Sequence, residues 1–339
     1  MTYMKPLSAV LLACIVLLGA TSAGASPEHR RSAAATETVR IALDYSANVN
    51  YLGIYVAQEK GWFARQHVSV KIIPYANTPA ETLVESGATD LGISYPPDVI
   101  INRAKGLRYR AVAALAATNT TALAVLASSR YTRPAQLDGK LYGGFGIASD
   151  EPLVSAVLKG DGVAKPSFKQ VVLNTDVIDA LAKGRIQYTA VFGGIDDVTA
   201  ELQGVKLRLF PYRRYLGAAG GYPNVVFVAS DSTIEKRRDA LRRTLAALAQ
   251  GYAYSAAHPA AAERILIAAN RTALGKSGAI VAATGNATAK TFLNGAGRWG
   301  PLSASAFSGL EKILARGGLV KGALPAPADL FTNALLPRS

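Results

Sequence analysis

Residues 82–93 read TLVESGATDLGI, and residues 179–192 read DALAKGRIQYTAVF. Each stretch begins with a helical pattern of apolar residues, continues through a glycine suited to end that helix, and finishes in a short strand. Helices and strands that alternate at this length are typical of a largely parallel sheet covered by helices, the α/β class. This order of elements recurs throughout α/β proteins, but two such units, about one hundred residues apart, suggest two structurally related lobes.

Composition and charge narrow the class of protein. The chain has 339 residues, of which 50% are hydrophobic and 18% are charged, and this composition indicates a globular protein with room for two lobes. The formal net charge of +14 raises nucleic acid as a partner. The basic residues lie in scattered pairs such as Arg213-Arg214, without a basic stripe interleaved with aromatic residues, so we expect no nucleic-acid binding.

The N-terminus has the features of a secretory signal peptide. Lys5 precedes an apolar stretch over residues 7–19, and a cleavage site of the A-x-A type ends at Ala25. We therefore expect a signal peptide at residues 1–25, export to the periplasm or the outer face of the cytoplasmic membrane, and a flexible tether over residues 26–37. The alternative, a lipid anchor at Cys14, is less favoured because the apolar stretch continues past that cysteine.

Residues suited to catalysis or metal binding are scarce. Without Cys14 the mature chain has no cysteine, which excludes cysteine nucleophiles, iron–sulfur clusters and cysteine zinc sites. The three histidines, His29, His67 and His258, have no partner at a spacing that would hold a metal. The chain also lacks a P-loop, a nucleophile elbow and an H-E-x-x-H motif. We expect no metal, no cofactor and no catalytic residues.

The strongest candidate for a binding site is the polar loop DYSANVNY at residues 44–51, which follows the first predicted strand. Loops at the carboxyl ends of strands are where α/β sheets gather ligands. A phenol such as Tyr51 can stack on a planar ring, while Asp44 and Asn48 can hydrogen-bond to the edge of that ring. The alternative is an ordinary polar loop.

The other candidates lie at similar places along the chain. The glycine-rich residues 142–146 could hold an anion on their amides or form a tight turn, and both interpretations remain open. The carboxylate of Asp196 could accept an N–H group of a ligand. The candidate ligand-binding residues are Asp44, Asn48, Tyr51, Tyr55, Ser94, Tyr95, Thr120 and Thr121 on one wall, and Gly144, Gly146, Glu151 and Asp196 on the other.

Six stretches resemble the solute-binding proteins of bacterial ABC importers, in the branch that binds nitrate, sulfonates, taurine and pyrimidine precursors of thiamin. They are residues 44–51 (DYSANVNY), 53–63 (GIYVAQEKGWF), 85–94 (ESGATDLGIS), 246–259 (AALAQGYAYSAAHP), 298–300 (RWG) and 330–337 (LFTNALLP). The last two look like the tail of the pyrimidine-precursor group, and together the stretches span essentially the whole mature chain.

The resemblance implies a type II periplasmic-binding-protein fold, in which two α/β lobes joined by two crossovers close on a ligand in the cleft between them. It implies a first lobe of residues 38–127 plus 229–339 and a second lobe of residues 128–228. It also implies a small-molecule solute, and an ABC permease with its ATPase as partners. We expect the chain to be a monomer.

The first loop departs from the pattern of the pyrimidine binders, Asp-Trp-x-Pro-Asn-x-x-His, at Tyr45, Ala47 and Tyr51. A heteroaromatic solute like the thiamin pyrimidine precursors remains the preferred ligand, because the loop has no basic residue for an anion. Riboflavin, a sulfonate and nitrate remain alternatives. A related eukaryotic pyrimidine synthase needs that histidine and a cysteine-rich motif, and this sequence has neither, so we expect binding rather than catalysis.

Overall fold

The computed structural model describes residues 35–173 and 177–337, without the side chain of Lys276. The expected signal peptide at residues 1–25, with Cys14, and the expected tether up to residue 34 lie outside the described residues. None of the helices within these ranges is long and apolar enough to cross a membrane.

The described residues form two five-stranded sheets covered by helices. The strands are β1 (Glu37–Ala42), β2 (Val68–Ile73), β3 (Leu91–Ser94), β4 (Tyr109–Ala116), β5 (Thr121–Leu126), β6 (Leu141–Gly144), β7 (Lys169–Val172), β8 (Tyr188–Phe192), β9 (Leu207–Pro211) and β10 (Val225–Ser230). The helices are α1 (Leu52–Glu59), α2 (Trp62–Arg65), α3 (Ala80–Glu85), α4 (Pro96–Ala104), α5 (Asp150–Gly160), α6 (Val177–Ala182), α7 (Asp196–Leu202), α8 (Asp231–Lys236), α9 (Arg238–Ala257), α10 (Pro259–Ala269), α11 (Arg271–Leu274), α12 (Gly278–Ala289), α13 (Ala304–Arg316) and α14 (Pro327–Leu330).

The two sheets have the same strand order. The first runs β2-β1-β3-β10-β4 and the second runs β7-β6-β8-β5-β9. In each sheet one strand, β10 in the first and β5 in the second, is antiparallel to both of its neighbours, while the other four share one direction. The predicted largely parallel character is therefore present, with one reversed strand that enters each sheet directly from the other. We call the regions around the first and second sheets the first and second lobes.

The repeated helix–glycine–strand order marks corresponding positions in the two lobes. Gly87 and Gly184 follow α3 and α6 with φ angles of 74° and 69°, a left-handed conformation that glycine adopts without steric cost. The strands that follow, β3 and β8, each lie between a parallel and an antiparallel neighbour. The two related units read from the sequence are thus the matching centres of the two sheets.

Two segments connect the sheets, residues 117–120 between β4 and β5 and residues 212–224 between β9 and β10. The end of the second segment lies beside the start of the first, where the Asn224 N–H donates to the carbonyl oxygen of Ala116, the last residue of β4, at 3.0 Å.

The positions of these crossovers differ from the expected lobe bounds. β5 pairs in the second sheet and β10 in the first, although residues up to 127 were assigned to the first lobe and residues up to 228 to the second. The apolar run over residues 111–127 hid the change of sheet, which occurs at its short polar interruption.

The cores explain how the helices are held. In the first lobe, α1 and α9 approach closely where two glycines meet, since a Cβ atom on Gly251 would lie 2.0 Å from the Gly53 carbonyl oxygen. A second core extends from α4 through α13 to Tyr142 and Tyr188 of the second sheet. Helix α13 therefore packs against elements of both lobes.

Candidate ligand-binding site

Four loops at the carboxyl ends of corresponding strands carry the polar and aromatic side chains of the candidate site. The loop after β1 holds Asp44, and β3 ends at Ser94, which is followed by Tyr95. In the second lobe, β6 leads into the glycine-rich turn and β8 leads into a turn that carries Asp196. Because parallel strands end at one edge of a sheet, each lobe brings its two loops together at the edge where α/β sheets bind ligands.

Asp44 is the hydrogen-bonding centre of the first-lobe loops. Its Oδ1 accepts from the Tyr51 hydroxyl at 2.8 Å, and its Oδ2 accepts from the Tyr95 hydroxyl at 2.7 Å. Two phenols thus fix a half-buried carboxylate, and each carboxylate oxygen retains capacity for a further donor. Burial, together with the charge of Asp44, raises the pKa of Tyr51 and of Tyr95, so both hydroxyls remain protonated donors.

A further acidic pair, Glu81 and Asp98, was missed by the sequence reasoning. The Ser94 hydroxyl donates to Glu81 Oε1 at 2.5 Å. Burial raises the pKa of Glu81, and burial with the nearby charge of Glu81 raises the pKa of Asp98 to about 7. Among the side chains that the structure describes, no Lys, Arg or His forms an ion pair with Asp44, Glu81 or Asp98. The loops after β1 and β3 and the helices beside them therefore carry three carboxyl groups without a basic partner in an ion pair within the described ranges.

The second lobe contributes an aromatic face through Phe192, which the sequence reasoning also missed. Its ring stacks on Tyr95 across the two lobes, with ring centroids 6.4 Å apart and planes 19° from parallel. The Phe192 N–H donates to Asp196 Oδ2 at 2.7 Å, and burial raises the pKa of Asp196 to about 6. The carboxylate of Asp196 therefore positions the backbone of Phe192.

The glycine-rich turn of the second lobe binds a carboxylate of its own. Asp150 is only 6% exposed, and its Oδ2 accepts from the Phe145 N–H at 3.1 Å. A Cβ atom on Gly144 would lie 2.8 Å from the same oxygen, and Gly146 has a φ angle of 74°. Both candidate glycines thus shape a tight turn around the Asp150 carboxylate. The stretch therefore forms a turn, and its amides bind a carboxylate of the same chain.

Three predicted site residues lie elsewhere or act differently. The Tyr55 hydroxyl donates to Asn270 Oδ1 at 2.9 Å, and Tyr55 lines a separate cavity of about 350 Å³ beside α10. Glu151 is exposed and lines a groove of about 590 Å³ between α5 and α13. The Asn48 side chain accepts from the Asn50 N–H at 2.9 Å and so caps the turn that precedes α1.

The expected stacking role of Tyr51 is corrected by the structure. Its ring is 0% exposed and lies in the core of the first lobe, so it offers no face to a ligand. Its contribution is the hydroxyl that fixes Asp44. Tyr95, which follows β3, instead carries the ring that meets the second lobe.

The two predicted threonines lie at the crossovers. The Thr120 carbonyl oxygen accepts from the Gly193 N–H at 3.0 Å, directly beside Phe192. The Thr121 hydroxyl donates to Asn224 Oδ1 at 3.1 Å and so joins one crossover to the other. Both residues therefore form hydrogen bonds where the chain passes from one lobe to the other. Within the described ranges, no group of three or more His, Cys, Asp and Glu side chains is placed to hold a metal ion.

Comparison with solved structures establishes the fold. The chain superposes on the periplasmic aliphatic sulphonate-binding protein of Escherichia coli with a TM-score of 0.67 at 15% identity, covering 89% of this chain and 94% of that one. The periplasmic nitrate-binding protein of Synechocystis PCC 6803 gives a TM-score of 0.65 at 14% identity, with 89% and 87% covered. The expected type II periplasmic-binding-protein fold, two α/β lobes joined by two crossovers, is confirmed.

Sequence relatives and a family model extend the comparison. A protein of Halalkalibacterium halodurans named formylaminopyrimidine-binding protein is 27% identical over 262 residues, which cover 76% of this chain and 77% of that protein. A protein of Uromyces fabae named 4-amino-5-hydroxymethyl-2-methylpyrimidine phosphate synthase is 27% identical over 173 residues, with 49% of each chain covered. The model described as NMT1/THI5 like matches residues 48–262. Because this match spans more than half of the chain, the protein belongs to the NMT1/THI5-like family.

Proposed function

We propose that the protein is the extracytoplasmic solute-binding component of an ABC importer and binds a small heteroaromatic amine related to the thiamin pyrimidine precursors. The observation that carries this proposal is the pairing of a fixed acceptor with an aromatic face. Asp44 is held by two phenol hydroxyls, and one of those phenols, Tyr95, stacks on Phe192 of the other lobe. Closure of the lobes on a ligand would bring both features to it.

The chemistry of the walls favours a planar ring with N–H donors. Aromatic rings offer a flat apolar surface to such a ring, and carboxylates accept from its amino groups. Among the described side chains, no Lys, Arg or His forms an ion pair with Asp44, and this further favours a neutral or cationic solute over an anion. The name of the Halalkalibacterium halodurans relative, which refers to an aminopyrimidine, supports the same class of ligand.

Calorimetric titration of the purified mature chain tests the proposal. The probes are formylaminopyrimidine and 4-amino-5-hydroxymethyl-2-methylpyrimidine, with riboflavin, ethanesulfonate and nitrate as the alternatives. We expect saturable binding of a pyrimidine, and a stabilisation of about 2.7 kcal/mol at a ligand concentration one hundred times the dissociation constant. Binding of ethanesulfonate or nitrate with none of either pyrimidine would overturn the proposed ligand class.

A synthase is the second candidate because the Uromyces fabae relative carries an enzyme name. Mass spectrometry of the pyrimidine recovered after prolonged incubation separates the two functions. A binding protein returns the compound unchanged, whereas a chemically altered product would favour the enzyme.

Co-purification with a membrane permease and its ATPase, in detergent and in the presence of the ligand, tests the importer assignment.

A further inference from the structure

In the second lobe, the glycine-rich turn at residues 142–146 and the start of α5 form a small pocket of hydrogen-bond donors, which we call the amide cradle. The Phe145 N–H donates to Asp150 Oδ2 at 3.1 Å, and the Tyr142 hydroxyl donates to Asp150 Oδ1 at 3.4 Å. Hydrogen bonds from the Gly146 and Ile147 amides oppose the effect of burial on the pKa of Asp150. A carboxylate that is 6% exposed therefore occupies the donors of this turn.

The backbone around this carboxylate is shaped to admit it. A Cβ atom on Gly144 would lie 2.6 Å from the Tyr142 ring and 2.8 Å from Asp150 Oδ2. A real Cβ atom does not approach other heavy atoms this closely, so glycine at this position leaves the space that the carboxylate fills. The Asp150 carboxylate therefore fills the space inside the turn that glycine at position 144 leaves open.

The neighbouring turn of the second lobe repeats the arrangement. Asp196 Oδ2 accepts from the Phe192 N–H at 2.7 Å, and Asp197 Oδ1 accepts from the Gly194 N–H at 2.6 Å. The amides that follow β6 and those that follow β8 are thereby both occupied by carboxylates of the same chain. Free amides in such turns are the groups that bind oxyanions in proteins.

We propose that Asp150 determines specificity by exclusion: its carboxylate fills the amide cradle of the second lobe and so denies that cradle to anionic solutes such as sulfate and sulfonates. The inference rests on the proposed function in one respect, namely that the carboxyl end of β6 faces the ligand cleft. It adds a reason for the discrimination. The donors that an oxyanion requires are already used, and the negative charge beneath the turn repels a second anion.

Sulfate titration of the full mature chain, of two Asp150 variants and of a control variant tests this inference. Asp150→Ala removes the carboxylate, Asp150→Asn removes only its charge, and Glu201→Ala, at an exposed position of α7, is the charge-matched control. Thermal unfolding and calorimetry are followed in sodium sulfate against sodium chloride of equal ionic strength. We expect sulfate to bind Asp150→Ala at least about tenfold more tightly than the wild type or the control, because the amides freed by the substitution can donate hydrogen bonds to the sulfate anion.

Asp150→Asn is expected to shift sulfate affinity in the same direction by a smaller factor, since its side chain still fills part of the cradle. If Asp150→Ala fails to fold, as judged by circular dichroism, the Asn variant decides alone. Equal sulfate affinity of the folded variants, the wild type and the control would overturn the inference. The pyrimidine titration of the wild type is a separate measurement, so a failure of the proposed function is distinguishable from a failure of this one.

Discussion

The two lobes use carboxylates in opposite ways at matching places in the fold. After β1, Asp44 is half-buried and accepts from the hydroxyl groups of Tyr51 and Tyr95. After β6, Asp150 is almost fully buried and accepts from the backbone amide of Phe145. Asp44 is held by side-chain hydroxyls and can still accept a further hydrogen bond. Asp150 is enclosed by the backbone of its own turn and is not available to a ligand. Under the two proposals above, a carboxylate beyond one of these matching strands recognises a donor, and a carboxylate beyond the other blocks a site for oxyanions.

The largest effect is expected from removing the available carboxylate. Asp44→Ala should weaken pyrimidine binding by about 10- to 100-fold, because hydrogen bonds to charged groups contribute about 1.5–3 kcal/mol. Isothermal titration calorimetry measures the change, with Glu201→Ala as the control on an exposed surface. Unchanged affinity in a folded Asp44→Ala protein would contradict the proposal that Asp44 accepts a hydrogen bond from the ligand.

A smaller effect is expected at the aromatic contact between the lobes. Tyr95→Ala should lower pyrimidine affinity by about 2- to 12-fold, since aromatic pairs contribute about 0.5–1.5 kcal/mol beyond the area they bury. Tyr95→Phe keeps the ring and loses only the hydroxyl that donates to Asp44. We expect Tyr95→Phe to lose less affinity than Tyr95→Ala, and Phe192→Leu to resemble Tyr95→Ala. Equal losses in both Tyr95 variants would assign the whole effect to the hydroxyl.

The third prediction concerns how stability depends on pH at a buried carboxyl group of the first lobe. Burial and the charge of Glu81 raise the pKa of Asp98 to about 7, above the value of about 3.9 for an unfolded chain. The folded protein therefore binds this proton more tightly, so the free energy of unfolding falls as the pH rises from about 4 to about 7. Asp98→Asn should flatten this fall and raise the melting temperature at pH 7 by about 2–4 °C for each kcal/mol of relieved repulsion.

Calorimetric melting of the wild type and Asp98→Asn at pH 4 and pH 7 checks this sign. Asp90, which contacts Arg40 and Arg237, provides the contrast within the same lobe. Its hydrogen bonds to these arginines oppose the effect of burial and hold its pKa below the usual range, so its contribution is present at pH 7 and is lost only in acid. A wild type whose stability rises steadily between pH 4 and 7 would contradict the assignment to Asp98.

The sequence predicted the matching units but not the exchange of strands between them. Glycines such as Gly87 and Gly184 are local signals, and both adopt the left-handed conformation expected at the end of a helix. The place of β10 in the first sheet depends on pairs such as Val226 with Ser94, which no local pattern records. The polar loop after the first strand was found because strand ends are visible in the sequence.

The roles of Glu81 and Tyr51 depend on how side chains pack in three dimensions. Glu81 has the spacing of an exposed helical residue, and its bond to Ser94 depends on how α3 packs on β3. Tyr51 was expected to stack, but the direction of a side chain in a short turn cannot be read from its neighbours. Phe192 could have been found, because it ends the strand of the second repeated unit, β8, as Ser94 ends β3.

The exchange of β5 and β10 also has a consequence for the order of folding. The first sheet is completed only when β10 pairs with β3 and β4, and residues 95–224 separate Ser94 from Val225. Closing a loop of that length costs conformational entropy before any contact repays it, so we expect this sheet to form late. A chain that emerges from the ribosome therefore stays without a finished first lobe until nearly all of the second has been synthesised, and the first four strands of that lobe wait for their last partner during this time.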